Sequence, residues 1–117
     1  MHELSIADGV LGIVLAHARD RRVTRVEMRV GHLRQVVPSA LEFAWELVTV
    51  GTAAEGAELV LEHVPAAVCC RDCGSESEQD AFPLACARCG GLAVDVVRGE
   101  ELLVDSLDVD SREEVRV

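Results

Sequence analysis

The feature that most constrains this sequence is a pair of Cys-x-x-Cys motifs. Cys70 and Cys73 form the first motif, Cys86 and Cys89 form the second, and residues 74–85 separate them. Two intervening residues allow a tight turn to aim both sulfur atoms at one ion, and four thiolates form a closed tetrahedral shell around zinc. We therefore predict a structural zinc site at these four cysteines.

Cysteine pairs also occur as redox-active thiols and as disulfide bonds. The sequence has no basic stretch followed by an apolar core near its start, so we expect a cytoplasmic protein, in which reduced thiols favour metal binding. Cys69 directly precedes the first motif and could replace Cys70 as a ligand. The two-residue spacing is the commoner one, so a spare thiol at Cys69 is the simpler interpretation.

The charge balance bears on possible partners. The chain has 21 acidic and 11 basic residues and a formal net charge of −10. The segment between the cysteine motifs, GSESEQDAFPLA, contains no lysine or arginine. We therefore expect no binding to nucleic acid, which requires basic contacts to phosphate. No apolar run is long enough to cross a bilayer, so we also expect no membrane partner.

Hydrophobic periodicity predicts two helices and four strands. Apolar residues at three- and four-residue steps predict helices, whereas alternation predicts strands. A Ser39–Glu42 capping box marks the start of the second helix. Residues 98–100 predict a hairpin turn, and the polar tail 110–117 is expected to fray. The predicted helices are 4–20 and 39–50, and the predicted strands are 23–32, 57–64, 93–97 and 101–109.

This order predicts an α+β fold: a small three-stranded mixed sheet with two helices on one face, plus an inserted zinc-ribbon-like lobe. The main domain comprises 1–65 and 99–117, and the zinc-binding lobe comprises 66–98. Residues 66–92 show little periodicity, so we expect this segment to depend on metal for folding.

The N-terminus offers a second group of ligands. The amine of Met1, the backbone nitrogen of His2 and its imidazole can form small chelate rings around one ion. Such nitrogen ligands suit Ni(II) or Cu(II) in planar geometry. Glu3 could add an axial oxygen or accept a hydrogen bond from the imidazole. From these residues alone, a solvent-exposed histidine is the more ordinary interpretation.

The remaining histidines carry weaker signals. We interpret His17 as a solvent-exposed or end-capping residue late in the first helix, and His32 and His63 as strand-end residues that could assist nickel binding. The sequence has neither a nucleophile–base pair nor a phosphate-binding glycine loop, so we do not expect an enzyme. A zinc-ribbon module that binds protein or nucleic acid is the alternative.

Four segments in order resemble the HypA/HybF family of hydrogenase-maturation nickel chaperones. They are MHELSIA, RVEMRVGHL, FAWELVTVGTAAEGAEL and the paired cysteine motifs, and they span essentially the whole chain. The resemblance implies transient Ni(II) cargo at the Met1 amine, His2 and Glu3, and structural Zn(II) at the four cysteines. It also implies a nickel-handling maturation GTPase and the [NiFe]-hydrogenase large subunit as partners, with urease maturation in some members. We expect a monomer or weak homodimer.

Overall fold

The computed structural model describes residues 2–111 and 113–117. Met1 and Arg112 lie outside this description, and so does the predicted amine ligand. The helices are α1 (His2–Ala18) and α2 (Pro38–Val48), with a 3₁₀ turn at His32–Arg34. The strands are β1 (Val23–Gly31), β2 (Glu58–Val64), β3 (Ala66–Cys70), β4 (Glu76–Gln79), β5 (Val94–Arg98), β6 (Leu102–Val109) and β7 (Glu114–Arg116).

The strands form two sheets, with the orders β2-β1-β6-β7 and β4-β3-β5. The predicted α+β class with a zinc-ribbon-like lobe is confirmed. The main sheet has four strands rather than the predicted three, because the tail adds β7. This strand pairs antiparallel with β6, Leu107 lying opposite Val115. The prediction of a frayed tail is therefore wrong for 114–116: Val115 belongs to the sheet despite its polar neighbours.

The first of two compact units contains the chain up to Arg29, Val36–Glu62, and the chain from Leu103. Its helices pack against each other. The alternation in β1 predicted its inward face correctly, since Val26 and Met28 are buried. The main buried side chains of this unit are Ala7, Val14, Val26, Met28, Leu41, Trp45, Leu107 and Val109.

The start of α2 differs from the prediction. The N-cap is Val37, not Ser39, and no side chain of the cap residue bonds to the helix. Pro38 takes the first helical position, where its fixed φ angle is favourable and its missing N–H is no loss. The backbone N–H of Val37 instead donates to Oε2 of Glu3, 3.2 Å away. A carboxylate from α1 thus supplies the bond that the predicted capping box assigned to Glu42.

The second compact unit contains Val30–Gln35 and His63–Leu102. Its central strand is β3, whose residues Ala66, Ala67 and Val68 are fully buried. The lack of periodicity predicted no strands within residues 66–92, whereas β3 and β4 lie there. Three successive buried residues produce no alternation, which explains why β3 was missed.

The segment at 98–100 is not a hairpin turn. Strand β5 pairs with β3, with Cys70 opposite Val94, whereas β6 lies in the other sheet. The chain therefore passes from one sheet to the other at Gly99, whose φ of 111° is accessible to glycine. The apolar strands flanking Gly99 resembled a hairpin because sequence alone does not identify their pairing partners.

Candidate metal centres

The four predicted zinc ligands lie together in the second unit. The sulfur atoms of Cys70, Cys73, Cys86 and Cys89 are all within 4.8 Å of one another. The Cys70–Cys89 sulfur separation is 3.7 Å, and the Cys73–Cys86 separation is 3.5 Å. Zinc–sulfur bonds of about 2.3 Å in a tetrahedron place neighbouring sulfur atoms about 3.8 Å apart. The cluster therefore has the dimensions of a tetrathiolate zinc site.

The two motifs form equivalent turns. In the first, the N–H of Cys73 donates to the sulfur of Cys70 at 3.4 Å, and the N–H of Gly74 donates to the Cys70 carbonyl at 2.9 Å. In the second, the N–H of Cys89 donates to the sulfur of Cys86 at 3.4 Å, and the N–H of Gly90 donates to the Cys86 carbonyl at 2.8 Å. Both glycines have positive φ, which only glycine adopts readily. The sequence Cys-x-x-Cys-Gly thus encodes the same turn twice.

These turns also polarise the thiols. Backbone N–H groups of Cys89 and Arg88 lower the pKa of the Cys86 thiol to about 6. The N–H of Gly91 acts in the same direction on Cys89, but the adjacent Cys86 and Cys70 sulfurs raise the pKa of Cys89 to about 12. The backbone N–H groups therefore favour one thiolate, and the neighbouring sulfur atoms oppose deprotonation of a further cysteine. A divalent cation at the centre removes that opposition, because it stabilises all four thiolates.

Cys69 is not part of this group. Along a strand, neighbouring side chains point to opposite faces, and Cys70 is the β3 residue whose sulfur joins the cluster. The sulfur of Cys69 lies 3.9 Å from the Gly74 carbonyl oxygen. The structure thus brings together the residues with the common spacing, and leaves Cys69 as a separate, half-buried thiol.

His2 and Glu3, the described members of the predicted N-terminal site, lie at the start of α1 in the first unit. Glu3 is buried and His2 is exposed, with 10% and 55% of their side-chain surfaces accessible. Nε2 of His2 lies 3.5 Å from Oε2 of Glu3. The hydrogen bond from Val37 is the main cause that lowers the pKa of Glu3. The structure therefore pairs the two predicted residues, and fixes the Glu3 carboxylate as an anion beside the imidazole.

The other histidines have defined contacts. Nδ1 of His17 lies 2.9 Å from the carbonyl oxygen of Ile13, within the same helix. His32 and His63 come together: Nδ1 of the former is 3.3 Å from Nε2 of the latter. The sequence did not predict that these two rings lie close together, because their proximity depends on β1 and β2 being neighbours in the main sheet. Their positions at the ends of adjacent apolar segments were the available signal.

The chain is similar to known proteins over almost its whole length. The family model described as hydrogenase/urease nickel incorporation metallochaperone, HypA, matches residues 1–109. The chain belongs to the HypA family. It is therefore a nickel metallochaperone of hydrogenase maturation rather than an enzyme, and the predicted family, nickel cargo and structural zinc are confirmed at that level.

Relatives match over nearly the full chain. Hydrogenase maturation factor HypA of Geotalea uraniireducens (strain Rf4) is 46% identical over 110 residues, covering 94% of this chain and 100% of the relative. HypA of Nostoc punctiforme is 34% identical, covering 94% of this chain and 96% of the relative. The family-model match, which begins at residue 1 and ends at residue 109, includes both the N-terminal segment and the cysteine motifs.

Solved HypA structures share the fold. The solution structure of the Ni metallochaperone HypA from Helicobacter pylori has a TM-score of 0.65 at 21% identity, covering 93% of this chain and 97% of that one. A second HypA solution structure has a TM-score of 0.68 at 22% identity, covering 93% and 96%. Within 2–111 and 113–117, no helix is both long and apolar enough to cross a membrane.

Proposed function

We propose that this HypA-family chain binds Ni(II) at its N-terminus and delivers it for [NiFe]-hydrogenase maturation. The ligands are the Met1 amine, the backbone nitrogen of His2 and the His2 imidazole, with Glu3 beside them. The observation that carries the proposal is the exposed His2 imidazole held next to the buried Glu3 carboxylate at the first residue of a helix.

Helix geometry supports this ligand set. The first four N–H groups of an α-helix have no acceptor within the helix. The His2 nitrogen is one of them, because α1 begins there. Its deprotonation for nickel binding therefore breaks no helical hydrogen bond. A binding site at this position can exchange metal without unfolding α1.

The Glu3 contact also selects a ring nitrogen. The carboxylate lies beside Nε2 of His2, so a proton on Nε2 is favoured and Nδ1 keeps its lone pair. Nδ1 is the nitrogen nearer the backbone, and it closes the smaller chelate ring with the His2 amide. Glu3 acts in this proposal as the carboxylate that orients the imidazole, rather than as an inner ligand.

Zinc has a different role in the proposal. Cys70, Cys73, Cys86 and Cys89 hold Zn(II) structurally, because four protein thiolates leave no open position for cargo. Nickel at an incompletely enclosed terminus remains accessible to a receiving protein. A nickel-handling GTPase of the same maturation pathway and the hydrogenase large subunit are the proposed partners, and the cytoplasm is the proposed location. Service to urease is a further proposed role, which the family description includes.

The first experiment replaces one imidazole. We expect His2→Ala to weaken Ni(II) binding by at least about 100-fold, roughly 3 kcal/mol, in titration calorimetry of the protein with its native N-terminus. His17→Ala is the matched control, because His17 is a half-buried histidine of the same helix, far along the chain from the N-terminus. Zinc content should be unchanged in both. Equal nickel affinities for wild type and His2→Ala would refute the N-terminal site.

The second experiment tests the amine. One residue added before Met1 keeps every side chain but moves the free amine away from His2. We expect nickel affinity to fall about as far as in His2→Ala, with zinc content unchanged. If the extended protein keeps full nickel affinity, the chelate does not include the amine, and the proposed N-terminal ligand set is wrong.

A further inference from the structure

The strongest unassigned feature is the histidine pair in the second unit. His32 begins the 3₁₀ turn that follows β1, and His63 lies near the end of β2. Their rings meet edge to face, with centroids 5.4 Å apart. His32 is half-buried and His63 is exposed, so solvent ions can reach the pair. Neither residue belongs to the cysteine cluster, and the N-terminal site proposed above does not use them.

The hydrogen-bond contacts of His32 indicate which of its two ring nitrogens carries the proton. Its Nε2 lies 3.1 Å from the backbone carbonyl oxygen of Asp80. A carbonyl oxygen can only accept a hydrogen bond, so Nε2 carries the proton and donates it. In the neutral imidazole, Nδ1 then has a lone pair, and this is the atom that faces His63. A histidine whose second nitrogen donates to a backbone carbonyl is the usual arrangement for a metal ligand.

The distance between the two nitrogens distinguishes among ions. Metal–nitrogen bonds of about 2.0–2.1 Å at a tetrahedral angle place the nitrogens about 3.3–3.4 Å apart, whereas a right angle places them about 2.9 Å apart. The observed separation is 3.3 Å. It matches two ligands of a tetrahedral ion without movement. The planar geometry suited to nickel needs the rings to move closer.

We propose that His32 and His63 form a second metal site, which takes a tetrahedral divalent transition-metal ion of the Zn(II) type. Nδ1 of His32 and Nε2 of His63 are the protein ligands, and Asp80 holds the first ring through its carbonyl. Across 2–111 and 113–117, the cysteines are the only group of three or more clustered ligand side chains. Water therefore completes the coordination, and binding is weaker and more exchangeable than at the cysteine cluster.

The site is independent of the N-terminal proposal, so the test removes that site. Zinc-loaded His2→Ala protein is titrated with additional Zn(II), and the imidazole nitrogens of His17, His32 and His63 are followed by long-range ¹⁵N–¹H NMR. We expect His32 and His63 to shift together along one saturating curve, while His17 does not move. Before titration, the His32 proton should be on Nε2.

Matched variants complete the test. In the same background, His63→Gln should raise the Zn(II) concentration at the midpoint of the His32 shift by at least about tenfold, whereas His17→Gln should leave it unchanged. Unchanged backbone amide spectra and cysteine-bound zinc verify that each variant is folded. An unresponsive His32, separate curves for the two rings, or an unchanged midpoint in His63→Gln would overturn the proposal and leave a hydrogen-bonded histidine pair.

Discussion

The cysteine cluster and the N-terminus differ in how far the protein encloses their candidate metal-binding groups. At the cluster, four sulfur atoms lie within 4.8 Å of one another, and paired turns with backbone N–H groups fix them. At the N-terminus, a single exposed imidazole stands at the first turn of a helix, held beside one buried carboxylate. The first arrangement can enclose an ion on all sides, whereas the second would leave a bound ion exposed to solvent.

This difference follows from how many separate chain segments each site uses. The cluster joins β3 to a turn more than a dozen positions later, so its metal closes a loop of the chain and contributes to folding. The proposed N-terminal nickel ligands are consecutive residues, so a metal bound there would close only small chelate rings. We infer that loss of zinc changes the fold, whereas loss of nickel leaves the fold intact.

The largest expected effect comes from Cys73→Ser or from removal of zinc by a chelator. We expect the second unit to lose its cooperative structure, because three thiols cannot complete the tetrahedral shell. Amide dispersion in ¹⁵N NMR spectra and zinc analysis measure this effect. Cys69→Ser is the matched control and should keep both zinc and dispersion. A zinc-free Cys73→Ser protein with native amide dispersion would contradict the structural role of the metal.

A smaller loss is expected at the passage between the two sheets. A Cβ atom at Gly99 would lie 2.6 Å from the Cα of Ala66, and the φ of 111° disfavours any side chain. We expect Gly99→Ala to destabilise the second unit by about 3 kcal/mol, although this variant keeps all four cysteines of the zinc cluster. Urea unfolding of the zinc-loaded protein measures the change. Glu100→Ala, at the exposed neighbouring position, should change stability by less than about 0.5 kcal/mol.

The sequence predicted features that depend on local spacing. The cysteine motifs predicted which four sulfur atoms would meet, because each pair sits in a turn that two intervening residues define. Alternation predicted the buried face of β1, including Met28, and three- and four-residue steps predicted both helices. The resemblance to the HypA/HybF family predicted the nickel role, which spacing at His2 could not have done.

Features that depend on contacts distant in sequence were not predicted. Strand β3 was missed because its residues are buried consecutively, and the apparent hairpin at Gly99 connects two sheets. The N-terminal end of α2 was assigned to a local capping box, but the acceptor is Glu3, more than thirty residues away. A sequence records that Glu3 is acidic and near a terminus, but not which N–H group it will meet.

Glu3 also makes the comparison testable through pH. Its folded-state pKa is lowered, first by the hydrogen bond from Val37. A carboxyl with a lowered pKa contributes stability that is present above its unfolded pKa and is lost as pH falls through the folded pKa. We therefore expect Glu3→Gln to be less stable than wild type near pH 7, and this difference to shrink below about pH 4.5.

Thermal unfolding at several pH values measures this difference. Glu42→Gln is the control, because the incorrect capping-box prediction assigned the capping carboxylate to Glu42. Glu42 is exposed on α2. We expect its variant to show no comparable dependence on pH. If the Glu3→Gln difference stayed constant from pH 7 to about pH 3, the carboxylate would not be the acceptor that caps α2.

The smallest expected effect is a gain in the stability of the first unit that leaves the zinc content and the nickel affinity unchanged. Gly9 is an exposed position inside α1, and a Cβ atom added there meets nothing within 4 Å. Alanine restricts the unfolded chain and favours the helix, so we expect Gly9→Ala to stabilise the first unit by about 0.5–1 kcal/mol. Gly51→Ala, at a φ of 77°, should instead be destabilising. Calorimetric unfolding measures both. Because α1 carries His2, a nickel affinity that changed in Gly9→Ala would indicate that metal binding depends on fraying of the helix rather than on its first residue alone.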